Sequence, residues 1–142
     1  MSITLDQART IVAAALSKGR DESLAPLSVA VLDSGGHLTA FEREDGSSNM
    51  RFEIAHGKAN GALALGVGSR GLMTRAEEQP YFVAAASAAI GGALVPVPGG
   101  VIVKDVAGLV LGAVGVTGDT SDNDESAAVA GVEAVGLIAE TG

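Results

Sequence analysis

The run Leu109-Val-Leu-Gly-Ala-Val-Gly-Val-Thr117 is apolar on both faces, which suits a strand only when it lies in the middle of a sheet. Its Gly112 and Gly115 mark places where another backbone, or a ligand, approaches closely. A central strand needs neighbours, and the chain offers them. Leu27-Ser-Val-Ala-Val-Leu-Asp33 is rich in β-branched residues, Ser34-Gly35-Gly36 supplies a tight turn, and His37 to Arg43 returns as a second strand. Val101 to Lys104 reads as a further strand, joined to the central one by the turn Asp105 to Gly108. Ala93 to Pro96 reads as one more.

Helical segments surround these strands. Thr4 and Gln7 form a capping-box pair ahead of Leu5, Ala8, Val12, Ala15 and Leu16, and Gly19 is the expected stop. Ser48 or Asn49 is expected to cap a helix from about Met50 to Leu65, with Phe52, His56, Ala59 and Leu63 on one stripe. Thr74 and Glu77 suggest another capping box. Because Pro80 suits a first helical turn and not an interior, a short turn of helix should precede a main helix from about Pro80 to Ile90. A last helix begins near Asp122 and turns Val129, Val132 and Val135 or Gly136 inward. The expected order is α-β-β-α-α-β-β-β-α in one domain spanning 1–142, without internal repeats.

Composition narrows the function classes. The chain has 142 residues, 47% of them apolar and only 3% aromatic, with 20 glycines. Small side chains bury little area each, so burial between subunits would compensate, and a homo-oligomer is expected. A net charge of −8 opposes phosphate backbones and anionic lipid heads, so no nucleic-acid or membrane partner is expected. Without cysteine there is no disulfide, thiolate nucleophile, Fe–S cluster or Cys-bound zinc. Met1 to Leu5 lacks the basic start and apolar stretch of a signal peptide, and a cytoplasmic location is expected. No residue between Glu78 and Lys104 is charged, but Pro80, Gly91, Gly92, Pro96, Pro98, Gly99 and Gly100 break that stretch, so it is not a membrane span.

Several motifs together resemble the GlcG/HbpS-like family. They are Asp33-x-Gly-Gly-His-Leu38; Ile54-Ala55-x-x-Lys58-Ala59; Gly99-Gly100 before Val101; and Gly112-Ala-Val-Gly-Val-Thr-Gly118, followed by Asp124 and Ala130-Gly131. The resemblance covers nearly the whole chain. It implies an α+β fold with a five-stranded antiparallel sheet flanked by helices, and assembly into dimers or larger rings. It also implies a link to haem, since haem binding and haem degradation are attached to the family. A related module sits at the end of some corrinoid adenosyltransferases, and fold alone does not settle function.

A haem site needs an axial ligand in an apolar setting, and His37, His56 and Tyr81 are the candidates, with Met50 and Met73 weaker. The plainer readings are a partly buried core histidine for His56 and a solvated turn for His37. Lys58 and Thr117 are further candidates for holding a bound cofactor. Asp33, Arg51, Glu53 and His56 form a possible acid–base set, beside Glu42 to Asp45 and across the sheet from Thr117 and Asp124. If strand ends and helix starts converge, the set would serve an enolisable acid or a phenol derivative, with Arg51 or Arg75 holding a carboxylate. The plainer reading is surface ion pairs.

No dedicated metal site is expected. Asp122-Asn123-Asp124 imitates a calcium loop but lacks its glycine, and Asp119, Asp122, Asp124 and Glu125 suit the positive end of the last helix. Gly66-Val-Gly68-Ser-Arg-Gly71 matches a dinucleotide fingerprint by letter only, since it follows a helix, and it reads as a turn. Three functions stay open: a small-ligand binder with haem or a related tetrapyrrole first, a cofactor-independent catabolic enzyme using acid–base chemistry, and an oligomeric accessory protein. Whether the chain is an enzyme is not decided by these residues.

Overall fold

The computed structural model describes residues 1–142. Its five strands are β1 (Ser28–Asp33), β2 (Leu38–Arg43), β3 (Gly100–Lys104), β4 (Val110–Thr117) and β5 (Ile138–Glu140), and they form one sheet, antiparallel throughout, in the order β2-β1-β4-β3-β5. The central strand is β4, flanked by β1 and β3. β2 pairs with β1 through the glycine turn, in which Gly36 takes φ +82°. The fold is α+β with a five-stranded antiparallel sheet flanked by helices, as expected.

Side-chain alternation gives the sheet two different faces. Val29, Val31, Val101, Val103, Val114 and Val116 point to one side. There they meet Ile11 and Val12 of α1 (Leu5–Asp21) and Val132 of α5 (Ser121–Ala134) in the main core. On the other side Leu32 and Ala113 meet Ala59 of α2 (Arg51–Leu65). This second layer is unusually close. A Cβ on Gly115 would strike the carbonyl oxygen of Ala55, and one on Gly100 would strike that of Lys58. The two glycines let the α2 backbone rest directly on the strands. Beyond it, α3 (Ser69–Glu78) and α4 (Pro80–Ala89) enclose a small cluster of Leu72, Val83 and Leu94.

The capping box of α1 forms: Gln7 N–H donates to Thr4 Oγ1 at 3.1 Å, and Thr4 N–H donates to Gln7 Oε1 at 3.0 Å. Other expectations about local structure are corrected. Gly19 does not end α1; it stays helical and buried because the Leu27 side chain packs where its Cβ would be. Neither Ser48 nor Asn49 caps α2, whose N-cap is Met50 without a side-chain bond. Ser48 Oγ instead accepts from Arg51 Nε at 2.9 Å. Thr74 lies inside α3, which is a full helix, and its hydroxyl donates back to the Arg70 carbonyl at 3.4 Å. Thr120, two residues before Asp122, caps α5 by accepting from Asn123 N–H at 3.2 Å.

The segment 93–96 is not a strand. Its polar groups go to α2: Val95 N–H donates to the Gly57 carbonyl at 3.1 Å, and Asn60 Nδ2 donates to the Ala93 carbonyl at 2.9 Å. The side chains of Leu94 and Val95 fill the spaces above Gly61 and Gly57. The fifth strand is β5 (Ile138–Glu140), which follows the last helix and pairs with β3.

Candidate functional site

The candidate residues fall into two groups at opposite ends of the sheet. In the β1–β4 register Ser28 faces Thr117 and Asp33 faces Gly112. Five residue steps at about 3.3 Å each therefore separate Asp33 from the Thr117 end by roughly 16 Å.

At the Thr117 end, Arg51 Nη1 donates to Thr117 Oγ1 at 2.8 Å. Lys58 leaves the sheet-facing side of α2 and passes beside Gly99. Its ammonium donates to the Val116 carbonyl at 2.9 Å and to Asp124 Oδ2 at 3.1 Å. Lys58 and Asp124 are each only 2% exposed. Burial lowers the Lys58 pKa, against the pull of Asp124, and burial raises that of Asp124, against the pull of Lys58. The remaining Asp124 oxygen accepts from Asp119 N–H at 2.9 Å. Ser28 Oγ, in the same face as Thr117, is buried without a partner. Lys58 and Thr117 are thus interior groups already committed to protein partners.

The acidic start of α5 works through specific partners as well as through the helix dipole. Arg70 joins Asp122 at 2.5 Å and Glu125 at 3.0 Å, and these hydrogen bonds raise its pKa. Arg70 belongs to the glycine-rich 66–71 segment, where Gly66 ends α2 in the left-handed conformation and Ser69 begins α3.

The other end holds Asp33 and His37. Asp33 Oδ1 accepts the backbone N–H groups of Gly35 and His37, each at 2.9 Å. Both carboxylate oxygens face His37 Nδ1, at 3.1 and 3.2 Å. The backbone hydrogen bond from His37, more than any other contact, lowers the Asp33 pKa. With Nδ1 donating to this carboxylate, the proton-free nitrogen of a neutral ring is Nε2. The His37 side chain is 81% exposed.

His56 stands apart from both groups. Its ring stacks on Phe52 at 5.5 Å between centroids, and Phe52 meets Phe41 of β2 edge-on at 5.0 Å. Glu53 is exposed in the first turn of α2, with no hydrogen bond to His56. Tyr81 is 72% exposed on α4. Asp33, Arg51, Glu53 and His56 therefore do not meet in one cleft. Two clefts do exist. One of about 470 Å³ is bordered by Arg20, Glu42, Arg43, Glu44 and Asp45, and one of about 400 Å³ lies between the end of α2, α3 and α4. Of the residues singled out in the sequence, Glu42 to Asp45 border the first and Arg75 the second, whereas Asp33, His37, Arg51, Glu53, His56, Lys58, Tyr81 and Thr117 line neither.

Asp124 does sit in the first turn of α5, as expected, but its buried ion pair with Lys58 was missed from the sequence. A lysine between Ala55 and Ala59, the small residues that rest on the sheet, was the available clue.

A three-layer α+β domain on an antiparallel sheet, with a carboxylate-held imidazole at the first hairpin turn, is the class these features define. The sequence matches the family described as haem degrading protein HbpS-like over residues 3–133, and the chain belongs to that family. No curated protein matches it. Among solved structures, HbpS is 26% identical with a TM-score of 0.80, covering 94% of this chain and 89% of that one. The Klebsiella pneumoniae protein ORFY is 24% identical with a TM-score of 0.84, covering 94% and 90%. PduOC, crystallised as a haem complex, is 20% identical with a TM-score of 0.86, covering 99% and 100%. The last two likenesses speak to the fold. No helix is long and apolar enough to cross a membrane.

Proposed function

We propose that this protein binds haem or a related tetrapyrrole, with His37 Nε2 as the axial ligand. The observation that carries the reading is the Asp33–His37 pair. An imidazole that donates Nδ1–H to a carboxylate is fixed in tautomer and orientation, and its Nε2 becomes a better donor to a metal. Family membership and the haem complex of PduOC support the same ligand. His56 ranks behind His37 because its ring is packed on Phe52 and lacks an orienting hydrogen bond. Lys58 and Thr117 would act from within, holding α2 and the strand ends in place.

A ring as exposed as His37 offers a ligand without an envelope, so the apolar cover for a tetrapyrrole would come from a second copy of the chain. Self-association is also the reading favoured by α4. That helix carries no charge and leaves Tyr81, Ala84, Ala85, Ala88 and Ala89 exposed on a protein otherwise rich in acidic groups. Haemin titration tests the ligand. His37→Ala should abolish a saturable Soret shift that His56→Ala leaves in place; a shift that survives His37→Ala overturns the assignment.

A further inference from the structure

The cleft of about 400 Å³ between α2, α3 and α4 has an apolar floor of Leu65, Val67, Leu72 and Phe82. Arg75 stands in its wall. The guanidinium carbon lies 4.0 Å from the centre of the Phe82 ring, and Nε donates to Gln79 Oε1 at 2.7 Å. These two contacts hold the planar group in one orientation. No carboxylate pairs with it, and its two Nη groups have no acceptor within the protein. A cation fixed by Gln79 at the α3–α4 junction and by Phe82 of α4, with four N–H donors free beside an apolar hollow, matches a carboxylate on an apolar body. Glu78 also lines the cleft and has no cationic partner, so it opposes an anionic ligand and sets a limit on affinity.

We infer that this cleft is a binding site for a small amphipathic carboxylate, such as a medium-chain or aromatic acid, gripped by Arg75. The site shares no residue with the Asp33–His37 turn, so it stands or falls independently of haem binding. The ligand's carboxylate meets the free Nη groups in a two-pronged contact, and its apolar end displaces water from the partly exposed Leu65, Val67 and Phe82.

Octanoate, octanamide and octylammonium serve as probes, read by backbone amide shifts in the full chain at concentrations below micelle formation. Octanoate should produce saturable shifts confined to residues 65–82, with octanamide and octylammonium at least tenfold weaker. Arg75→Gln should weaken octanoate at least tenfold with an unchanged melting curve, and Glu78→Gln should tighten it. His37→Ala should change nothing. Equal binding of octanoate and octanamide, indifference to Arg75→Gln, or no saturable shift at all would each overturn the site. So would shifts at these residues that follow protein concentration alone, because they would mark contact between copies.

Discussion

Nζ of Lys58 and Oδ2 of Asp124 lie 3.1 Å apart in a place closed to water, tying the middle of α2 to the first turn of α5. Two charges removed from solvent gain little as a pair, yet either one left alone is expensive. Lys58→Met should therefore destabilise the protein by about 3–5 kcal/mol in urea denaturation, and Asp124→Leu by a similar amount. The double variant Lys58→Met with Asp124→Leu should recover most of that loss. Strictly additive losses would show that the pair is not coupled.

Acid should weaken the fold through carboxylates whose folded pKa is depressed. Asp33 is held below its ordinary 3.8 chiefly by the His37 backbone N–H, and Asp119 below the same value chiefly by the Asn123 side chain. The unfolded chain thus takes up these protons more readily than the folded one. Their contribution is complete above about 3.8 and disappears as pH falls through the lowered values. Urea midpoints measured from pH 5 to pH 2.5 should decline on the acid side, and Asp33→Asn should make that decline shallower. An identical slope in the variant would remove Asp33 from the account.

Asp33→Asn should also act on the proposed ligand. It weakens the acceptor behind His37 Nδ1 without touching Nε2, and a loss of about 10–100-fold in haemin affinity is expected. Unchanged affinity would mean that the carboxylate does not orient the ring.

The contact of α2 with the sheet can be probed at Gly115. Gly115→Ala places a methyl group against the Ala55 carbonyl, where backbone must move, and should cost about 3 kcal/mol or more. Gly66→Ala is the useful contrast. Its φ is +74° but nothing lies within 4 Å of the added Cβ, so only the left-handed backbone penalty of about 1–2 kcal/mol is expected.

If α4 carries the self-association, Tyr81→Glu combined with Ala85→Glu should shift the protein towards monomer in sedimentation velocity, with its circular dichroism unchanged. An oligomer that tolerates both charges uses another face.

The hairpin and the central strand were legible because β-branched alternation and turn glycines are local signals. The fifth strand was not. Ile138–Glu140 spans three residues behind a helix, too few to show a period. Residues 93–96 carry the composition of a strand, but their apolar side chains fit the gaps over Gly57 and Gly61, a tertiary fact no local pattern contains. The separation of Asp33 from Thr117 follows from antiparallel pairing, since opposite ends of neighbouring strands cannot meet. Lys58–Asp124 was hidden because a helical lysine normally reaches solvent.

The rims of the sheet bear on how copies could assemble. β2, the outermost strand on one side, carries Glu42 and Arg43, and its pairing with β1 is interrupted by a bulge near Leu32. On the opposite side the sheet finishes in the three-residue β5. Neither margin offers a long, flat, neutral template for another chain's backbone. Growth by strand addition is thereby discouraged, and closed assemblies built through helices are left as the route by which such molecules could meet without polymerising.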